Sequence, residues 1–269
     1  MKKIISIILS AVLLASILSA CGSKKKDIIV FAAASLTETM TEIKELYEKD
    51  HPDINIVYNF DSSGTLKDQI EKGAPCDIFI SAAQKQMNQL DSAAGSDLNP
   101  DGLDFVLSET RFDILENKVV LAVPEGNPSD LKGFDDLADR LTNDQILIAI
   151  GNSDVPVGQY TQKIFAYYGL DEAALADSVR LSYGSNVKEV TSQVKEASVA
   201  AGIIYSTDAV SAGLASVDSA TEEMGGKVIY PCAVMKNASD QDAAKAFLDY
   251  LKGESAASVF ESVGFSMVG

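Results

Sequence analysis

From Ile28 onward the sequence repeats one unit: a short apolar run, a turn of small residues, then an amphipathic helical pattern. A chain that alternates strand and helix in this way builds parallel sheets through right-handed crossovers. Its ligand sites are expected beyond the carboxyl ends of the strands. The first unit is Val30-Phe31-Ala32-Ala33-Ala34-Ser35-Leu36-Thr37-Glu38-Thr39-Met40. Residues 28–31 read as a buried strand, and Met40, Ile43, Leu46 and Tyr47 mark the helix that follows. Ser35 or Thr37 is expected to cap it, with Glu38 completing a capping box on Ser35. A helix start offers unpaired N–H groups and the positive end of the dipole, which together suit an anion.

The unit recurs along the chain. Residues 54–60 alternate as a strand, and Asp61-Ser62-Ser63-Gly64-Thr65-Leu66-Lys67 opens a second helix. Gly73-Ala74-Pro75 ends that helix before a third strand at 76–81 and a helix over 83–92. Residues 92–108 are polar and irregular. Asp97-Leu98-Asn99-Pro100-Asp101-Gly102 begins like a calcium loop, but Ser108 stands where an acidic twelfth ligand is needed, so the segment reads as a solvated loop. A second set follows: strands at 118–124, 146–150, 179–183 and 201–205, with helices from Phe134, over 158–168 and through Val190, Val194 and Ala197. Gly151-Asn152-Ser153-Asp154-Val155-Pro156-Val157-Gly158 and Gly184-Ser185-Asn186-Val187 lead into two of these helices. A strand at 228–234 and helices near 240–252 and 255–262 close the chain. With 46% apolar content in 269 residues and no long linker, the expectation is two lobes with a cleft between them.

The formal charge of −17 argues against nucleic acid or an anionic membrane surface as a partner. An acidic protein that binds an anion needs an enclosed, dipolar site. His51 is the single histidine, beside Pro52 in a polar connection, so a Ser-His-Asp unit, a Cys-His unit or a multi-histidine metal site would all depend on it. An exposed loop residue is the plainer reading.

The N-terminus is a targeting segment. Lys2 and Lys3 precede an apolar run over 4–18, and Leu18-Ser19-Ala20-Cys21 resembles the lipobox of bacterial lipoproteins, with Cys21 as the lipid-bearing residue after cleavage. An ordinary signal peptide with an incidental cysteine is the alternative. Gly22-Ser23-Lys24-Lys25-Lys26 reads as a tether over 21–26. Loss of residues 1–20 takes two lysines and moves the formal charge from −17 to −19.

With these stretches in place, the chain resembles the molybdate-binding proteins of bacterial ABC importers. Val30-Phe31-Ala32-Ala33-Ala34-Ser35-Leu36 resembles their opening motif, and Ser62-Ser63-Gly64-Thr65-Leu66, Gly73-Ala74-Pro75-Cys76-Asp77-Ile78-Phe79-Ile80-Ser81 and Val155-Pro156-Val157-Gly158-Gln159-Tyr160 follow in family order. Gly202-Ile203-Ile204-Tyr205-Ser206-Thr207-Asp208-Ala209 and Tyr230-Pro231-Cys232-Ala233-Val234 are similar to the late strand motif and the return strand. The resemblance covers about residues 27–267. It implies an α/β, two-lobed class II periplasmic-binding-protein-like fold, each lobe a mostly parallel sheet flanked by helices. Lobe one would be 27–108 plus 230–269, and lobe two 109–229. The 92–108 loop is longer than the family pattern, and Cys76 and Cys232 stand where it has small apolar residues.

The resemblance places oxyanion contacts on Ser35, Ser63, Val157, Val187 and Tyr205, with backbone N–H groups serving at Val157 and Val187. Taken alone, each could be an ordinary cap or core residue. Together they form a neutral donor set without metal-cation ligands, able to hold an ionised oxyanion through hydrogen bonds and dipoles. Such a set rejects a protonated phosphate, whose hydroxyl would be buried unpaired. The implied protein is a monomeric, lipid-anchored receptor that hands molybdate or tungstate to a membrane permease, with no cofactor. A sulfate receptor is the nearest alternative, and an extracytoplasmic hydrolase or transferase a more distant one, since no His or Lys lies within the cleft motifs to activate a nucleophile. In this fold the return strand runs antiparallel beside the third strand, so Cys76 and Cys232 are expected at one edge of lobe one, either bridged or as two buried thiols.

Overall fold

The computed structural model describes residues 25–143 and 146–268. The expected signal peptide, the expected lipidation site Cys21 and the tether as far as Lys24 lie outside the described residues. The first stretch gives β1 (Lys26–Ala33), a 3-10 turn (Ala34–Leu36), α1 (Thr37–Asp50), β2 (Ile54–Asp61), α2 (Ser63–Glu71), β3 (Ile78–Ile80), α3 (Gln84–Leu90) and β4 (Phe112–Asn117). The middle gives β5 (Val119–Val123), α4 (Phe134–Asn143), β6 (Ile148–Gly151), α5 (Pro156–Tyr168), α6 (Glu172–Asp177), β7 (Leu181–Gly184), α7 (Val187–Lys195), β8 (Ala201–Tyr205), α8 (Ser206–Ala212), β9 (Ala215–Ser219) and α9 (Glu222–Gly225). Then come β10 (Val228–Val234), α10 (Gln241–Leu251), α11 (Glu254–Ser262) and β11 (Ser266–Met267).

Two sheets result, in the orders β11-β4-β10-β3-β1-β2 and β7-β6-β8-β5-β9. In each, a parallel trio (β2-β1-β3 and β7-β6-β8) is extended by antiparallel pairings through β10 or β5. The two-residue period of the strands divides the first core. Ile28, Val30, Ala32, Ile78 and Ile80 face one side with Met40, Ile43, Phe247 and Phe260, whereas Phe31 and Phe79 face the other with Leu66, Ile70, Met87 and Leu90. Helices therefore cover both faces of this sheet.

Three expectations are corrected. First, β4 pairs with β10 in the first sheet, so the chain passes to the second sheet at Lys118 and not at 108/109. Asp113 and Glu116 interrupt the apolar pattern of β4 and hid it. Second, neither Ser35 nor Thr37 caps α1. The residue before α1 is Leu36, which makes no side-chain cap bond, because the intervening 3-10 turn diverts the chain. Third, Cys76 and Cys232 do not share one edge of the lobe, and of the two alternatives they are the buried free thiols. Cys232 pairs laterally with Ile80, four positions from Cys76. Four residues of strand span about 13 Å, roughly twice the reach of a disulfide. The two also belong to the core clusters on opposite faces of the sheet. Thiol counting on the denatured, unreduced protein is expected to find both free, and a count showing neither would contradict this register.

Candidate binding site

The predicted contact residues all lie at junctions where a strand hands over to a helix. Ser35 sits in the 3-10 turn after β1, and Ser63 is the first residue of α2 after β2. Val157 is in the first turn of α5, whose first residue is Pro156, and Val187 opens α7 after β7. Tyr205 is the last residue of β8. Apart from the short turn at Ser35, these helix starts leave first-turn N–H groups without intrahelical acceptors. Pro156 is suited to its place because it has no N–H to leave unpaired. Neighbouring residues do the capping: the Ser62 side chain accepts from Thr65 N–H and the Asn186 side chain from Glu189 N–H.

Side chains tie these junctions together across the two sheets. Ser35 Oγ lies 2.9 Å from the Tyr230 hydroxyl. The Tyr230 ring meets that of Tyr205 edge-on with centroids 6.1 Å apart, and Tyr160 of α5 lies 6.4 Å from Tyr205 on another side. Gly64 at the start of α2 packs against the Asp154 carbonyl ahead of α5. Asn186 Nδ2 donates over 3.5 Å to Asp61 Oδ1. Lys188 Nζ reaches Glu38 of α1 at 2.6 Å and Asp208 of α8 at 2.9 Å. Ser35, Tyr205 and the starts of α2, α5 and α7 are thus joined, directly or through one residue, with the lobes in contact around them. Ser63 Oγ, however, accepts from Ala82 N–H at 2.9 Å and so braces the neighbouring strand end.

The Tyr205 hydroxyl differs from the rest. Tyr205 is 1% exposed, and its hydroxyl has no hydrogen-bond partner among the described residues. Burial, together with Tyr230, Tyr160 and Asp208 nearby, pushes this phenol well above its ordinary value. It therefore keeps its proton and can donate it to a ligand oxygen, whereas leaving it unpaired costs about 1–3 kcal/mol. Lys188 is the cation at the site. Burial pulls its ammonium down, but the Asp208 and Glu38 carboxylates outweigh that and hold it above its usual range. Paired with two carboxylates, it adds no net positive charge here.

Sequence reasoning missed four participants: Asn117, Lys188, Asp208 and Tyr230. Tyr230 and Asp208 stand inside motifs already singled out for the resemblance, and Lys188 directly follows Val187. Asn117 carried no signal of its own. Among the described residues no group of three or more His, Cys, Asp or Glu side chains is placed to hold a metal ion.

The family described as bacterial extracellular solute-binding protein matches residues 28–266. The chain is 32% identical over 272 residues to the molybdate-binding protein ModA of Haemophilus influenzae, covering 99% of each chain. It is 34% identical over 247 residues to ModA of Escherichia coli, covering 89% of each. Among solved structures, the periplasmic molybdate-binding protein of Azotobacter vinelandii aligns with a TM-score of 0.75 over 90% of this chain and 100% of its own, at 21% identity. That last likeness is one of fold, and the two-lobed α/β architecture is common to both.

Proposed function

The chain belongs to the bacterial extracellular solute-binding protein family, and from that premise we propose that it captures molybdate, and also tungstate, between its lobes for delivery to the permease of an ABC importer. Proteins of this kind bind a solute and are not enzymes. The observation that carries the anion reading is the Tyr205 hydroxyl, buried without a partner among the described residues at the carboxyl end of β8, beside Tyr160 of α5 and linked through Tyr230 to Ser35. Ser35 and the first-turn N–H groups at Ser63, Val157 and Val187 would supply the other donors. Because Lys188 is matched by two carboxylates, the cage stays free of net positive charge, and release to the permease would not have to break a salt bridge to the anion. Cys21 would carry a lipid that keeps the receptor at the membrane, with the acidic mature chain leaving the anionic surface itself unbound.

Calorimetric titration of the soluble domain tests this reading. Molybdate and tungstate are expected to bind and to raise the melting temperature by mass action, and sulfate and phosphate at equal concentration to do much less. An equal response to sulfate would replace molybdate with sulfate as the ligand. Within the same experiment, Tyr205→Phe is expected to weaken molybdate binding by about 1.5–3 kcal/mol, the range for a hydrogen bond to a charged group. Val157→Ala should leave it nearly unchanged, since the donor there is backbone. Wild-type affinity in Tyr205→Phe would remove that residue from the site.

A further inference from the structure

Two residues outside the predicted donor set control the direction of a hydrogen-bond chain that ends on Ser35. The chain begins at Asn117, the last residue of β4, next to the crossing between sheets. Lys118 N–H donates to Asn117 Oδ1 at 2.8 Å, and Ser206 Oγ donates to the same oxygen at 3.0 Å. A backbone N–H can only donate, so the amide orientation of Asn117 is determined and its Nδ2 faces the other way. Nδ2 then donates to Thr207 Oγ1 at 2.9 Å and to the Tyr230 hydroxyl at 3.2 Å. Tyr230 is fully buried. The acceptor within reach of its phenolic proton, among the described residues, is Ser35 Oγ at 2.9 Å. If Ser35 donated to Tyr230 instead, that proton would be left buried and unpaired. Tyr230 therefore donates to Ser35, and the Ser35 proton is left for whatever the site holds. Burial keeps the Tyr230 phenol far above its ordinary value, so the polarity of the chain does not change with pH.

We infer that Asn117 and Tyr230 are positioning residues for anion specificity: they hold Ser35 as a donor, so its oxygen is not offered as an acceptor to a protonated oxyanion. This rests on the oxyanion reading above and deepens it. The expected rejection of protonated phosphate by neutral donors needs this addition, because a free serine hydroxyl can rotate and accept. Occupying one of the two Ser35 lone pairs with the Tyr230 proton disfavours that option, because it turns the Ser35 proton toward the ligand.

The test is a set of calorimetric titrations with molybdate, sulfate and hydrogen phosphate on wild type, Tyr230→Phe, Asn117→Asp and Ser35→Ala, and on each of the first two variants combined with Ser35→Ala. Tyr230→Phe is expected to weaken molybdate binding about tenfold and to narrow the molybdate-over-phosphate ratio by a similar factor. Asn117→Asp presents an acceptor to Tyr230, which then turns its proton away from Ser35 and takes the Ser35 proton in exchange. Its loss is expected to be larger. In the Ser35→Ala background the same two substitutions should add less than about twofold, because the residue through which they act is gone. The added charge of Asn117→Asp, or simple loosening of the fold, would persist in that background. Full persistence of either effect, or an unchanged anion ratio in Tyr230→Phe, overturns the inference, and Asn117→Asp serves alone if Tyr230→Phe does not fold. A wild type that prefers sulfate would overturn the molybdate reading while leaving the cycle readable with sulfate. One that binds none of the three overturns both.

Discussion

Gly64→Ala is expected to weaken oxyanion binding by about 1–3 kcal/mol, roughly tenfold to a hundredfold, while the ligand-free protein keeps or slightly gains thermal stability. The two halves of this result have separate causes. Gly64 lies in the first turn of α2, with no left-handed backbone to protect. In a helix, alanine is favoured over glycine by about 0.5–1 kcal/mol, so the helix itself gains. The penalty arises only when the lobes meet. A methyl group on Gly64 would overlap the Asp154 carbonyl, which is backbone and cannot swing aside like the end of a side chain. Asp154 belongs to the segment between β6 and α5 in the second lobe, so the overlap opposes closure and not the folding of either lobe. Gly158→Ala is the contrasting case. There a methyl group would meet the carbonyls of Gly151 and Asn152 inside one lobe, and stability should fall with or without ligand. Wild-type affinity in Gly64→Ala would show that the contact between α2 and Asp154 is absent from the bound form.

The strand-to-helix junctions were legible because several local signals coincide at each one. At Gly151–Gly158, for example, an apolar strand ends, a proline suits the first helical position and the period changes from two to 3.6. These junctions also carry Ser35, Ser63, Val157, Val187 and Tyr205, which were named as contacts because the resemblance to the molybdate-binding proteins implies them. Elements with weaker local contrast were missed. β9 is an edge strand with mostly exposed residues, so it has no apolar face to read, and Asp113 and Glu116 break the apolar run of β4. The 3-10 turn at Ala34–Leu36 was read as a helix start because its residues permit either, and the bond from Thr37 N–H to the Ala34 carbonyl marks the difference.

What the sequence concealed at the site is mostly long-range. Tyr230 lies 195 positions from Ser35 and 113 from Asn117, and the three meet only because the chain crosses between sheets near Asn117 and returns at β10. The absence of a cleft lysine was likewise a local reading. Lys188 stands one residue beyond the motif that ends at Val187, and the fold brings it between Glu38 and Asp208. The bridged alternative for Cys76 and Cys232 fails for a related reason. Adjacent strands were foreseen, but register, which decides both lateral distance and face, depends on pairing that no local pattern encodes.

Lys188→Met is expected to cost about 3 kcal/mol of folding stability at mildly alkaline pH and far less near pH 5. Asp208 is 1% exposed in the first turn of α8, and burial pushes its carboxyl up to about 6, against the opposing pull of the Lys188 ammonium. Glu38, the other carboxylate at Lys188, pushes it further up. Since this value lies above the ordinary 3.8, the folded chain holds a proton on Asp208 that the unfolded chain has already lost. The group thus favours folding most at acid pH, and that contribution is lost as pH rises through about 6. Lys188 limits the loss by pairing with the ionised carboxylate at 2.9 Å. Without it, Asp208 must either stay charged and unpaired in the interior or keep its proton far above its ordinary range, and both become costlier as pH rises. Near pH 5 the carboxylate is already largely protonated in the folded wild type, so the substitution removes little beyond the Lys188 stem and its 2.6 Å contact with Glu38. Methionine keeps most of that stem in place. Urea unfolding of wild type and Lys188→Met across this pH range measures the difference directly. A loss of equal size at both ends would mean that the Asp208 charge is not what Lys188 stabilises.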